Sequence, residues 1–188
     1  ASEERFRGTF ESSAIGISLA DQDGRWIMVN PALCRIVGYP EQELLQLDYE
    51  RISHPDDMPL DRMLTAELYA GARTSFHMEK RYLHRDGHPV WINLTVALVH
   101  DAQGRPLHTV AHIEDISGRK LLEQELRASE ELMRQMADSV SQMFWLLDMR
   151  HNRYLYISPA VESVLGCSAA ELQKNPRGWR RNIHLQDL

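Results

Sequence analysis

The apolar positions of this chain change period several times, and each change marks an element. Phe6 and Phe10 stand four apart within residues 3–12, one face of a short helix. Ile15, Ile17 and Leu19 then alternate with small or polar neighbours, the mark of a half-buried strand. Asp21-Gln22-Asp23-Gly24 has hairpin-turn chemistry, and residues 26–29 form the return strand. Asn30-Pro31 opens a short helix with a polar cap and proline at its first position, and Gly38 stops it. Residues 40–47 add a helical turn or two. At His54-Pro55-Asp56-Asp57 a longer helix starts, with Leu60, Met63, Leu64 and Leu68 at a period near 3.6 and Gly71 as its close. Residues 74–83, 90–100 and 106–116 then read as three strands joined by the turns Arg85-Asp86-Gly87-His88 and Asp101-Ala102-Gln103-Gly104. In the middle strand Ile92, Leu94, Val96 and Leu98 point one way, and Trp91, Asn93, Thr95, Ala97 and Val99 the other.

Two strands, several short helices and a three-stranded meander make an α+β unit. The economical arrangement is one five-stranded antiparallel sheet with the short helices on one face, enclosing a cavity. A different pattern follows. Leu122, Leu126, Ser129, Met133, Met136 and Val140 recur at spacings of four and three, a coiled-coil seam broken once by serine. The run spans only about three heptads, so alone it would pair weakly. The hydroxyl of Ser117 is placed to cap this helix.

From Met136 the first pattern starts again. Residues 144–148 match the first strand and residues 154–157 the second. Ser158-Pro159-Ala160 matches Asn30-Pro31-Ala32, and Gly166 matches Gly38. Glu171-Leu172 matches Glu43-Leu44, and Ile183-His184-Leu185-Gln186-Asp187 echoes Ser53-His54-Pro55-Asp56-Asp57. The chain is therefore divided into residues 1–117, a complete domain with its cap helix; 118–138, a helical linker; and 139–188, the first part of a second domain. That part carries an open edge and an uncovered apolar face, so it is expected to be less ordered, or to be completed by a partner or by strand exchange.

Composition narrows the reading. Of 188 residues, 43% are hydrophobic, enough for a real core, and a net charge of −6 argues against nucleic acid as a partner. Apolar runs such as Val96-Ala97-Leu98-Val99 are too short to cross a bilayer. The charged start, Ala1-Ser2-Glu3-Glu4-Arg5, is unlike a signal peptide and reads as the cut edge of a longer protein. The two cysteines, Cys34 and Cys167, show neither disulfide nor metal spacing, which fits a reducing cytoplasm. Cys34, beside Leu33 and Ile36, reads as core filler. The nine histidines include His77, His84, His88, His100, His108 and His112 on strands and turns, without metal-ligand spacing, so no metal is expected.

The order Asp21-Gln22-Asp23-Gly24-Arg25, Val29-Asn30-Pro31-Ala32, Gly38-Tyr39, His54-Pro55-Asp56-Asp57, Arg85-Asp86-Gly87 with Trp91, and Asp115-Ile116-Ser117 resembles the PAS family. The last of these is similar to its C-terminal (PAC) signature, Asp-Ile-Thr/Ser followed by basic residues. The resemblance covers residues 5–120 in full and 136–188 in part. It implies a sensory, dimerising, cytoplasmic segment of a bacterial signalling protein, with membrane anchoring of the full-length protein left open. The implied partners are a second copy, met through the linker helix and the cap helix or sheet face, and an output domain further along the chain. The ending Ile113-Glu114-Asp115-Ile116-Ser117 resembles those of cyclic-di-GMP enzymes, a diguanylate cyclase or phosphodiesterase; a histidine kinase, or a ligand-free interaction module, is the alternative. The segment itself is expected to do no chemistry.

By the same resemblance the cavity is lined by Ile92, Leu94 and Val96, with Met28, Tyr82 and Ile113 nearby, and is mostly apolar. It is expected to lack a resident cofactor, with flavin (FAD) or another small organic ligand as the alternative. Haem is disfavoured because residues 55–70 hold no histidine, leaving only Met58 or Met63 as ligands. Covalent flavin photochemistry is excluded by the lack of cysteine in Leu47-Asp48-Tyr49-Glu50-Arg51. The implied relay is Asp115, paired with Arg119 or Lys120, with Ser117 starting the helix. Trp91 is expected to be covered by the cap helix or by a second protomer.

Overall fold

The computed structural model describes residues 2–139, 142–151 and 153–174. It forms two units, Ala1–Leu122 and Glu123–Leu188. The first runs α1 (Ser2–Ser12), β1 (Gly16–Ala20), β2 (Trp26–Val29), α2 (Pro31–Val37), α3 (Glu41–Leu44), a 3-10 turn (Pro55–Asp57) leading into α4 (Met58–Tyr69), β3 (Ser75–Leu83), β4 (Pro89–His100) and β5 (Pro106–Asp115). The helix α5 (Ser117–Ser139) leaves it. The five strands form one antiparallel sheet in the order β2-β1-β5-β4-β3. The first hairpin thus docks against the last strand of the meander, so that β5 lies at the centre, between β1 and β4.

Alternation on the strands decides which face is covered. Phe76, Met78 and Tyr82 of β3 align with Val96, Leu94 and Val90 of β4, and all are buried. With Ile92 and Ile113 they pack on Leu33 and Val37 of α2, Leu44 of α3, and Leu64 and Leu68 of α4. Each fully buried leucine in this set contributes about 1.5–3 kcal/mol. The helix α4 turns a different stripe inward than its apolar positions suggest. Leu60 and Met63 are half-exposed, whereas Asp61, Leu64 and Leu68 are buried. The spacing of three and four is kept, but a carboxylate replaces a leucine in the phase that faces the core.

Asn30 joins three elements. Its side chain is fully buried, and its Oδ1 accepts from the backbone of Ile17 (2.9 Å) and, as cap of α2, from Leu33 (3.0 Å). Its Nδ2 donates to the carbonyls of Phe10 (3.0 Å) and Ile15 (2.9 Å). One amide therefore ties the end of α1 to β1 and to the start of α2.

The second unit holds β6 (Trp145–Asp148) and β7 (Arg153–Ile157) as a two-stranded antiparallel sheet, then α6 (Ala160–Leu165) and α7 (Ala169–Lys174). Its fully buried Ser158 accepts from the backbone of Phe144 (3.1 Å), as Asn30 accepts from Ile17. Gly166 ends α6 at φ 65° as Gly38 ends α2 at φ 73°, so the repeat read from the sequence holds in the backbone. A small core of Ile157, Val161 and Leu172 is left with Trp145, Leu146 and Leu155 more than half exposed. The echo at Ile183-His184-Leu185-Gln186-Asp187 lies outside the described residues.

Asn30→Ala removes the cap of α2 and leaves buried backbone groups without partners. It should lower unfolding free energy by about 2–4 kcal/mol in urea titrations. Asn30→Ser keeps an acceptor and loses the two donors, so its midpoint should fall between those of wild type and Asn30→Ala.

Candidate functional site: an interior cavity and a helix junction

Between the inner sheet face, the β1–β2 turn and α4 lies a cavity of about 200 Å³. Its sheet side is apolar and includes Phe76, Tyr82, Leu94, Val96 and Trp26. The opposite side is not: Asp21, Asp23, Glu50 and Asp61 bring carboxylates and Tyr49, Thr65 and Tyr69 hydroxyls, while the sheet itself adds Ser18 of β1 and Thr109 of β5. Of the residues expected to line the cavity, Tyr82, Leu94 and Val96 do so, while Ile92 and Ile113 are fully buried in the adjoining core. Met28 is displaced from the expected set. It is 38% exposed and borders a groove beside Phe6 and Phe10 of α1, because β2 turns position 28 to the outer face. The expectation of a mostly apolar cavity is corrected as well: the sheet supplies most of the grease, and α4 and the loops before it supply most of the polar groups.

Behind this wall sits a buried ion pair that the sequence reading did not single out. Lys80, on the inward register of β3, is 0% exposed, and Asp61 is 2% exposed. The Lys80 ammonium contacts the Asp61 carboxylate and donates to Ser53 Oγ (2.7 Å). It also lies 4.5 Å from the ring centre of Tyr82 and 5.3 Å from that of Tyr49. Burial pushes the Lys80 pKa down, and the Asp61 charge opposes that shift. Burial, and then Asp61, push the Tyr49 hydroxyl up to about 12, and Tyr82 rises for the same reasons, so both tyrosines stay neutral donors. Two sequence signals mark this pair. Phe76-x-Met78-x-Lys80-x-Tyr82 puts a lysine where alternation demands a core residue, and Asp61 shares the stripe of Leu64 and Leu68.

No histidine or methionine is among the residues lining the cavity, and Met63 is half-exposed. Burial, and next the charge of Glu41, hold the half-buried Cys34 thiol above its ordinary range, which disfavours a reactive thiolate.

The outer face carries the second feature. Ile116 N–H donates to the Trp91 carbonyl (2.9 Å), and Trp91 N–H donates to Ser117 Oγ (3.0 Å). The backbone N–H of Ser117 is taken by Asp115 Oδ1 (2.8 Å). The capping role expected of Ser117 thus falls to Asp115, and the Ser117 hydroxyl fastens the helix start to β4. The pairing expected between Asp115 and a following cation is also corrected. Arg119 (2.7 Å) and Lys120 (2.6 Å) both close on Glu79. The cause is register. Asp115 aligns with Ile92 and Lys80, on the inward phase, whereas Glu79 aligns with Asn93 and Glu114 on the outer face beneath the first turn of α5. Lys120, and next Arg119, hold the Glu79 carboxyl at about 2, well below its ordinary 4.5.

Trp91 completes the junction. Lys120 Nζ lies 5.1 Å from its ring centre and the Arg81 guanidinium 5.3 Å. These side chains, rather than α1, are what the structure places on Trp91. Arg81 in turn bonds Asp57 through Nε (2.9 Å) and Nη2 (2.8 Å), while Asp57 also accepts the Arg81 backbone N–H (2.8 Å). His54-Pro55-Asp56-Asp57 therefore starts a helix, as expected, and also binds that start to β3. The turn after β3 gathers His84, Asp86 and His88, which the sequence spacing had not suggested.

An antiparallel sheet wrapped by helices around a small cavity, with a helix anchored at its last strand, defines a sensor-type α+β module. A family profile described as the PAS fold matches residues 4–116, and a second described as a PAS domain matches residues 131–186. The chain belongs to the PAS family. Over 140 residues it is 36% identical to the probable diguanylate cyclase DgcE of Escherichia coli K12, covering 74% of this chain and 12% of that protein. Over 141 residues it is 30% identical to the sensor histidine kinase TmoS of Ectopseudomonas mendocina, covering 75% of this chain and 14% of that protein. The chain thus spans about one eighth of the length of these relatives. The crystal structure of a PAS domain from Colwellia psychrerythraea superposes with a TM-score of 0.59 at 18% identity, covering 63% of this chain and 99% of that one, and shares the fold. Among the described residues no helix is long and apolar enough to cross a membrane.

Two outcomes are expected. Asp61→Ala strands the Lys80 charge in the core and should destabilise by about 3–5 kcal/mol in chemical denaturation, while the double variant Lys80→Met/Asp61→Leu should recover most of that loss. For Glu79 the folded-state pKa lies below the unfolded value. Its stabilising effect should be complete above about pH 5 and decline as pH falls from 4.5 towards 2, a part of the pH–Tm profile that Glu79→Gln should flatten.

Proposed function

We propose that this segment senses a small molecule or a partner in its first unit and passes the change through α5 to an output domain elsewhere in the protein. The observation that carries the reading is the clamp at the root of α5. Arg119 and Lys120 meet on one carboxylate of β3, with Lys120 also on Trp91 of β4. A change in the twist of β3 and β4 would then move the helix as a lever.

The cavity suits a compact molecule. A benzene-sized ligand fills an engineered void of about 150 Å³, so about 200 Å³ holds little more than one ring. The apolar floor and acidic, hydroxyl-lined mouth favour an organic molecule with a donor or cationic group. In this reading no cofactor is resident, and the segment does no chemistry.

The exposed side of α5 supports dimerisation. Leu122, Leu126, Met133 and Met136 are 61–69% exposed, at coiled-coil spacing. The outer sheet face beside α1, with Phe6, Phe10, Ile17, Leu19, Val99 and Val110 around a groove, offers a second surface for the same pairing. The output we favour is a diguanylate cyclase, from the 36% identity to a probable enzyme of that kind; a histidine kinase is the second reading, from the 30% identity to one. In this reading the segment lies in the cytoplasm.

Sedimentation velocity tests the lever. The chain should run as a dimer, and Leu126→Glu/Met133→Glu should run as a monomer with the same circular dichroism. In the longer protein, Glu79→Ala, Asp115→Ala and Ser117→Ala should separate output activity from input while leaving the first unit folded. A monomeric wild-type chain, or unchanged regulation in all three variants, would overturn the reading.

A further inference from the structure

The turn between β3 and β4 carries chemistry that the relay does not use. His84-Arg85-Asp86-Gly87-His88 brings two imidazoles and a carboxylate together, with one donor atom from each within 4.8 Å of the others. His84 Nδ1 lies 2.9 Å from Asp86 Oδ1, and His88 Nδ1 contacts the same oxygen. The two rings stack with centroids 4.4 Å apart and planes 22° from parallel. We propose that this turn is a surface site for a divalent transition ion of borderline character, such as Zn²⁺, Ni²⁺ or Co²⁺, bound through Nδ1 of His84 and His88 and a carboxylate oxygen of Asp86.

The donor set selects the ion. Two imidazole nitrogens and one carboxylate suit borderline divalent ions and give Mg²⁺ or Ca²⁺ too few oxygens. Bond lengths to zinc of about 2.0–2.2 Å put neighbouring donors a little over about 3 Å apart. To admit the ion, His84 Nδ1 gives up the Asp86 N–H it accepts (3.3 Å), and both Nδ1 atoms part from Asp86 Oδ1. Three protein ligands leave the remaining positions to water or to a donor from another molecule.

The site is also pre-shaped. His84 N–H donates to the His88 carbonyl (2.8 Å), and Gly87 N–H donates to the His84 carbonyl (2.8 Å). Gly87 sits at φ 96°, a conformation that glycine alone adopts without strain. The turn is held on the body of the unit at three points. Arg85 N–H donates to the Val37 carbonyl (2.9 Å), and its guanidinium meets Glu43 (2.7 Å). The His84 ring occupies the space over Gly38, where a Cβ would come within 2.1 Å of Nε2. Only Pro89 and Val90 separate His88 from Trp91, so an ion here would stiffen the end of the hairpin that bears the α5 junction.

The test is competition for Zn²⁺ against a chromophoric chelator, with the full 188-residue chain. Wild type should take up one equivalent that His88→Gln lacks, with affinity at that site reduced more than about tenfold, the loss that even outer-shell changes produce. Asp86→Asn keeps the turn's acceptor oxygen and should weaken binding similarly, which guards against a folding defect in the first variant. Ni²⁺ should compete for the site, and Mg²⁺ and Ca²⁺ should not. Equal Zn²⁺ affinity and stoichiometry in wild type, His88→Gln and Asp86→Asn would overturn the proposal, as would the absence of any equivalent unique to wild type.

Discussion

The contact on which the first unit depends is the one between Lys80 and Asp61. A charge at an inward position of the β3–β4 hairpin is tolerable only if its partner is delivered to the same place, and α4 delivers it. That requirement fixes how α4 lies on the sheet and turns Leu60 and Met63 to solvent. It also shapes the cavity, because the polar groups that surround the ammonium extend to the cavity wall. A purely hydrophobic α4 would pack as well and would specify less. The ion pair is therefore better understood as a locator than as a source of net stability.

The sheet separates two kinds of polar chemistry. Inside, the charges are buried, few and fully engaged. Outside, Glu79, Arg81, Asp57, Arg119 and Lys120 form a chain of contacts around Trp91, partly open to water. Solvent-screened ion pairs are weak individually, and a network that releases readily is what a moving joint requires. Backbone bonds between Trp91, Ile116 and Ser117 keep the helix in place while the side chains can rearrange.

Much of this architecture was legible in the sequence, because periodicity and turn residues report local structure directly. The five strands, the order of helices, the repeat at Ser158 and Gly166, and the inward phase of Ile92, Leu94 and Val96 all follow from such signals. What was missed depended on pairing across the fold. Asp61 and Lys80 are 19 residues apart, and neither reveals the other until the helix lies on the sheet. Glu79 and the cations of α5 are some forty residues apart, and their meeting depends on strand register, as does the removal of Met28 from the cavity. The close approach of His84, Asp86 and His88 likewise appears only once the turn is folded, since their spacing differs from that of the familiar zinc motifs.

Glu79 and Lys80 are consecutive, and a strand sends consecutive side chains to opposite faces. The anchor of the outgoing helix and the charge at the heart of the receptor are thus fastened to adjoining links of one ribbon. A single-residue insertion or deletion ahead of them would push an acid inward against Asp61 and swing the amine out among Arg119 and Lys120. Like charges would then meet on both sides at once. Lineages carrying this segment should accordingly tolerate length changes in the hairpin tips while keeping the length of β3 constant.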